Sequence, residues 1–395
     1  MPKKIGVITI HKITNFGSAL QSYATCKVIE ALGYEYRLID YLFPADYHIY
    51  HARGEENRPL SSKVKIILRK YGLLMLFRRL KRTFTAAGKV NEIRERKFIE
   101  FIARLQLTPE FNWKKLHCTP PVFDIYLTGS DQTWNPRYLY HDYSFLLDFT
   151  PEDAPRIAYA ASFGATGLAK EYRQDYSKLL KRYDRISLRE TSGIPLITEL
   201  TGKEAVFCLD PTFLLDRQDW KVLIQNRHHF DKPYILCYIA DYVFSPYPYV
   251  FDVLKKIREM TGWDLVFVGS YHKGSKQHGT RCVFDAGPLD FLELYDKAAF
   301  VVSSSFHGTA FAINFQKDFL AILNPSPSCD DRIENLLKMT GLVSRGLRKN
   351  SSFKPSVEYL KTDYRESNKC LEKLRTASLE YLRNALAEAA GKRKK

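Results

Sequence analysis

"KIGVITIHKITNFGSALQSYATCKVIEALGYEYRLIDY" runs from Lys4 to Tyr41, and the way it divides decides the fold. Residues 4–10 are rich in Ile and Val and read as a buried strand. A polar loop with a glycine follows, then a helix with Leu20, Tyr23, Ala24, Val28 and Leu32 at helical spacing. "EYRLIDY" is a second strand. Strand, loop, helix and strand in this order make the building block of a parallel sheet covered by helices.

Further strands are expected in "VFDIYLTGS" (122–130), "RIAYAASFG" (156–164), "RISLRE" (185–190) and "AVFCLDPTF" (205–213). The pattern then restarts with "PYILCYIA" at 233–240, the helix "PYVFDVLKKIREMTG", the strand "WDLVFVG" and the run "PLDFLELYDKAAFVVSSSFHGTAFAINF". The chain is therefore α/β, with two units cut near 215–230, and its last stretch, 355–391, is expected to be helical.

With 395 residues, 45% of them hydrophobic, the chain has ample material for two cores. The net charge of +16 favours acidic partners: phosphorylated metabolites, nucleic acid or an anionic membrane face. The opening "MPKKIGVITIHK" has no signal-peptide pattern, and no apolar stretch approaches the ~20 residues of a membrane span. A cytoplasmic protein is expected. Seven cysteines are scattered without a C-x-x-C pair, which favours buried free thiols over disulfides or zinc.

Residues 58–98 are dense in Lys and Arg, interleaved with Val64, Ile66, Leu68, Leu73 and Phe77. Such a segment lies on an anionic membrane surface, or packs its apolar face on its own domain with a solvated basic face. Both readings stay open, and peripheral attachment at the inner face of the membrane goes with the first. Nucleic acid is not expected, because no helix-turn-helix, RNP or OB signature accompanies the charge.

Open parallel sheets bind ligands beyond the carboxyl ends of their strands. Asn15, Gly17 and Ser18 follow the first strand and suit a turn, a helix cap and an anion at a helix N-terminus. In "LTGSDQTWNP", Ser130, Asp131, Gln132, Trp134 and Asn135 gather polar groups around an indole. Asp131 is either a helix cap or a base for a sugar hydroxyl. Arg189 ends a buried strand beside Glu190, so it needs a carboxylate or a phosphate. In "SSSFHG", Ser303, Ser304, Ser305, His307, Gly308 and Thr309 crowd a strand-to-helix turn, more polar groups than a core histidine requires.

These pieces, with "CLDPTFLL" and "DDRIENLLKMTGL", resemble the polysaccharide pyruvyl transferase family in their order along residues 3–342. The resemblance implies two Rossmann-like domains facing across a cleft, a glycosyltransferase-B-like architecture. It suggests an N-terminal domain at 1–220 with a basic helical insertion at 51–118, a C-terminal domain at 221–345 and a helical tail at 346–395. It also implies transfer of a pyruvyl group from phosphoenolpyruvate to two hydroxyls of one sugar, giving a cyclic ketal on a polysaccharide precursor that is often lipid-linked. No metal or redox cofactor is required.

By the same resemblance, His307 and Arg189 match the family's phosphoenolpyruvate site, with Asp131 as candidate base. Asn15, Gly17 and Ser18 become a substrate-side loop, and Ser304 and Ser305 donors to phosphate. Many members carry an arginine two residues before the histidine, where this chain has Ser305. The charge must then come from elsewhere, and Lys12, Arg156 and Arg332 are the candidates. The rival on the same fold is a sugar-nucleotide-dependent glycosyltransferase, which needs a ribose-binding carboxylate such as Asp290 or Glu293. A non-catalytic membrane scaffold is the third reading.

Overall fold

The computed structural model describes residues 2–43, 85–139, 141–164, 167–241, 243–269, 275, 280–326 and 331–392. Strands β1 (Lys4–Ile8), β2 (Glu35–Leu38), β3 (Ile125–Thr128), β4 (Arg156–Ala161), β5 (Arg185–Leu188) and β6 (Val206–Phe207) form one sheet in the order β2-β1-β3-β4-β5-β6. Strands β7 (Tyr234–Tyr238), β8 (Asp264–Val268), β9 (Thr280–Val283), β10 (Phe300–Ser303), β11 (Asp318–Leu323) and β12 (Gly346–Arg348) form the other, ordered β12-β11-β10-β7-β8-β9. Every pairing is parallel. β3, β4, β7 and β10 are buried at every residue. That explains their unbroken apolar reading, since parallel strands are covered on both faces.

In the first sheet the strand order reverses between β1 and β3, and in the second between β7 and β10. At such a switch point neighbouring loops leave towards opposite faces and open a crevice. The start of α1 (Phe16–Ala31) and the loop after β3 border the first crevice; the loops after β7 and β10 border the second. The polar residues Ser18, Asp131 and Ser303 to Ser305 fall at these two places.

An aromatic cluster forms part of the seam between the halves. Phe16 stacks on Phe291 at 4.6 Å, meets Tyr238 edge-on at 5.6 Å and lies 5.3 Å from Phe98. One buried cluster thus runs through both halves. Phe291 comes from α3 (Pro288–Lys297), and Phe98 from α2 (Ala86–Ile102), capped by Thr85.

Of the basic segment, residues 58–84 lie outside the described residues. In the remainder, Arg94 and Lys97 turn inward while Lys89 and Arg96 stay exposed. The Arg94 guanidinium lies over Phe16 and Phe98 at 5.2 and 5.7 Å, and Lys97 pairs with Asp285 and Asp290 at 3.3 and 2.9 Å.

The C-terminal helix α5 (Arg365–Gly391) starts later than the expected 355. Residues 352–364 are not helical and carry a turn at 357–360, and Thr362 N donates to Asp318 at 2.8 Å. β12 belongs to the second sheet, whereas α5 returns to the first, with Tyr381 donating to the Ala158 carbonyl at 2.9 Å. Among the described residues no cysteines pair; Cys26, Cys208 and Cys237 are buried as expected, but Cys118 is exposed. No helix of the described residues is long and apolar enough to cross a membrane.

Candidate active site

The two crevices meet, and Asp210 lies where they do. It sits just past β6, fully buried, with Oδ1 held by Thr212 N at 3.0 Å and Thr212 Oγ1 at 2.8 Å. Its Oδ2 accepts from Arg189 Nη1 at 2.8 Å and Ser130 Oγ at 3.0 Å, and lies 3.3 Å from His307 Nε2. Burial pushes this carboxyl up, but the charges and hydrogen bonds of His307 and Arg189 outweigh it and hold the group well below the usual carboxylate range.

Arg189, only 3% exposed, leaves the end of β5 and lays its guanidinium over the Phe306 ring at 4.4 Å. Nη2 is 3.7 Å from Asp131 Oδ1, beyond hydrogen-bond reach, and neither Nη2 nor Nε has a hydrogen-bond partner. Two buried, charged N–H directions left open cost free energy until an acceptor meets them. The carboxylate that Arg189 was expected to need is Asp210, not its chain neighbour Glu190. Glu190 turns Oε1 to Phe163 N at 2.9 Å and leaves Oε2 without a partner. Burial raises its pKa against the opposing charges of Arg189 and Arg332.

Asp131 has φ +77°, a left-handed conformation uncommon for a residue with a side chain. Its Oδ2 accepts from Ser18 Oγ at 2.5 Å and Oδ1 from Gln132 N at 2.8 Å. It joins the loop after β3 to the first turn of α1.

His307 comes from the other sheet, in the first turn of α4 (Phe306–Asn314). Its Nε2 is 3.5 Å from Arg189 Nη1. Gly17 backs the ring so closely that a Cβ there would stand 2.0 Å from Nδ1. Only glycine permits that approach between the halves.

Gly17, Ser18, Ser130, Asp131, Arg189 and His307 are thus brought together. Other expected residues build the frame. Asn15 caps α1 by accepting from Ser18 N at 3.2 Å, and Ser305 caps α4 by accepting from Gly308 N at 3.4 Å. A Cβ on Gly308 would lie 2.1 Å from Ser303 Oγ, and Thr309 Oγ1 donates to the Ser305 carbonyl at 3.0 Å. Gln132 Oε1 accepts from Asn135 Nδ2 at 2.7 Å.

Two expectations need correction. Ser304 commits its hydroxyl to Ala240, donating to the carbonyl at 2.7 Å and accepting from the amide at 2.9 Å, so it is not an open phosphate donor. Trp134 is 0% exposed and donates to the Phe145 carbonyl; a ring with no exposed surface lies in the core and touches no ligand.

The three candidates for the missing arginine charge separate cleanly. Arg156 sits at the amino end of β4, on the far side of the sheet. Lys12 pairs with Asp40 and Glu110 at 3.0 and 2.5 Å. Arg332 lines a small cavity with Ser304 and Phe306, beside the motif. Neither rival ribose carboxylate is open. Glu293 accepts from Arg227 N, His228 N and Lys297, and Asp290 from Gly287 N, while His228 and Lys97 lie against it.

Asp210 was missed as a site residue. Its signal was present in "CLDPTFLL": an acid beyond a strand end, in the same row of exits as Asp131 and Arg189. Among the described residues no group of three or more His, Cys, Asp or Glu is placed to hold a metal ion.

The chain is similar to solved structures. A candidate UDP-N-acetylglucosamine 2-epimerase of Listeria monocytogenes aligns at TM-score 0.50 and 12% identity, covering 98% of this chain and 91% of that one. UGT89C1 of Arabidopsis thaliana, complexed with quercetin, aligns at TM-score 0.48 and 11% identity over 99% and 100% of the two chains. At 12% identity the likeness to the Listeria protein is one of fold: two Rossmann-like domains facing across a cleft. No curated protein matches the chain. The family model for polysaccharide pyruvyl transferase matches residues 15–326, from the cap of α1 past the SSSFHG turn. The chain belongs to the polysaccharide pyruvyl transferase family.

Proposed function

We propose that the protein moves the pyruvyl group of phosphoenolpyruvate onto two hydroxyls of one sugar in a polysaccharide precursor, closing a cyclic ketal. The observation that carries this reading is Arg189: buried, anchored to Asp210 through one nitrogen, and with Nε and Nη2 unmet. A ligand bearing both phosphate and carboxylate is the complement of such a fork. The N-terminus of α4 adds backbone N–H groups and the positive end of a helix dipole.

The balance of the reaction sets the remaining roles. One sugar oxygen bonds to C2 of phosphoenolpyruvate while the methylene carbon gains a proton and becomes methyl. The second oxygen then bonds to C2 as the carbon–oxygen bond to phosphate breaks. Two hydroxyl protons leave the sugar; one is balanced by the methyl group and the other by phosphate, with no change of oxidation state. Asp131, facing Ser18, is assigned as base for the hydroxyls, and His307 as proton donor to the methylene. A lipid-linked acceptor and attachment at the membrane belong to the same proposal.

The test is incubation of the protein with phosphoenolpyruvate and saccharide acceptors while phosphate is measured. Phosphate release with a ketal-bearing product is the expected outcome. Nucleoside diphosphate release from a sugar nucleotide, without phosphate release from phosphoenolpyruvate, overturns the proposal.

A further inference from the structure

A groove of about 680 Å³ runs beyond the carboxyl ends of β1 and β2, on the same edge of the first sheet as Asp131 and Arg189. Its size falls within the roughly 300–1,000 Å³ of small-molecule sites. We propose that it seats a neutral oligosaccharide: the chain of the acceptor beyond the sugar that reacts. That this saccharide is the acceptor rests on the pyruvyl-transfer reading; that the groove takes neutral sugars does not.

The first argument is charge. Among the described residues the groove's one lining lysine, Lys12, is flanked by carboxylates, its Nζ 3.0 Å from Asp40 and 2.5 Å from Glu110. His11 turns both ring nitrogens to acceptors, the Thr9 carbonyl at 2.9 Å and Asp40 at 3.1 Å. In a chain of net charge +16, this patch has its cation already neutralised by carboxylates. It disfavours phosphate and anionic lipid, and suits hydroxyls that donate to carboxylate oxygens.

The second argument is shape. The opposite wall is apolar, with Phe98, Ile102 and Ile99, the last 69% exposed. A pyranose offers both surfaces at once, hydroxyls at its rim and C–H groups on its faces. The third argument is continuity. Thr9 Oγ1 donates to the Ser130 carbonyl at 2.8 Å, so the chain that leads into the lining residues His11 and Lys12 is tied to the Asp131 loop. The loop that lines the groove with Ile13 and Thr14 goes on to Gly17, which touches His307. A chain lying in the groove therefore leads towards the cluster.

The test uses the full chain on a glycan array of neutral and of phosphorylated or carboxylated saccharides. Ile99→Glu alters a largely exposed side chain and leaves the candidate catalytic residues in place. Neutral glycans are expected to bind, more weakly by about tenfold in Ile99→Glu and a few-fold in Glu110→Gln, and with undiminished affinity in His307→Ala. Binding confined to anionic glycans, no binding at all, or binding indifferent to Ile99→Glu overturns the groove. Neutral binding at the groove without phosphate release from phosphoenolpyruvate supports the groove while the pyruvyl reading fails. Phosphate release with an unchanged saccharide KM in Ile99→Glu does the reverse.

Discussion

Arg156 and Arg189 are both buried in the first sheet, at opposite ends of it, and they differ in one respect. Arg156, at the amino end of β4, gives Nε to Thr150 Oγ1 at 2.8 Å, Nη1 to the carbonyls of Glu152 and Ala154 at 3.1 and 2.8 Å, and Nη2 to the Pro151 carbonyl. Arg189, past the carboxyl end of β5, satisfies Nη1 alone. Burial is therefore common to both; what sets apart Arg189, the arginine proposed to bind the donor, is its unmet N–H groups and the end of the sheet at which it stands.

Removing each guanidinium is the strongest way to break this contrast. Arg189→Ala leaves Asp210 buried without its paired cation and so costs stability as well, but phosphate release from phosphoenolpyruvate by the molecules still folded is expected to fall by about 10²–10³-fold or more. Arg156→Ala strips partners from a buried hydroxyl and three carbonyls, so it is expected to cost about 3 kcal/mol or more of stability. The molecules still folded should keep their kcat. Denaturant unfolding beside steady-state kinetics reads both quantities. If activity in both variants merely tracks the folded fraction, the contrast is void.

Asp210→Asn sharpens the same comparison, because Asp210 is what anchors Arg189 and His307. The loss of activity is expected to be smaller, about 10²-fold, the scale of misplacement by an ångström. The pH dependence has a definite sign. A carboxyl held below its unfolded value, near 3.9, contributes stability that is fully present above that value and lost as pH falls towards the folded one. Wild-type stability should therefore fall more steeply below about pH 4 than that of Asp210→Asn. Urea unfolding at neutral pH and near pH 3 measures the difference, and parallel curves would remove Asp210 as the paired anion.

How much of this was legible in the sequence follows from what each signal depends on. β1, α1 and β2 were readable because a buried strand and its crossover helix are local patterns, and all three stand within the quoted stretch. Strand ends were less so. β3 ends at Thr128 and β4 at Ala161, short of their apolar and glycine-bearing runs, because pairing stops where the loops turn into the crevice. Asp131, Arg189 and His307 stood out as polar residues at strand exits, but their meeting depends on two halves docking, which no local pattern encodes. Trp134 misled for a complementary reason: it shares a loop with Ser130 and Asp131, while its own ring turns into the core.

The smallest expected effect lies at Ser305, where many relatives carry arginine. Its Oγ accepts from Gly308 N at 3.4 Å, a long bond for a cap, and its own hydroxyl proton plays no part in that contact. Ser305→Ala should therefore cost less than about 1 kcal/mol of stability. If the hydroxyl donates to bound phosphate, the variant loses one neutral hydrogen bond, which raises the KM for phosphoenolpyruvate about three- to tenfold and leaves kcat unchanged. That split marks binding shared by ground and transition states, unlike the loss expected at Arg189. Lowered stability with an unchanged KM would make Ser305 a cap and nothing more. Anion binding would then fall to Arg189 and the backbone amides of α4, and the missing arginine would be compensated from across the seam.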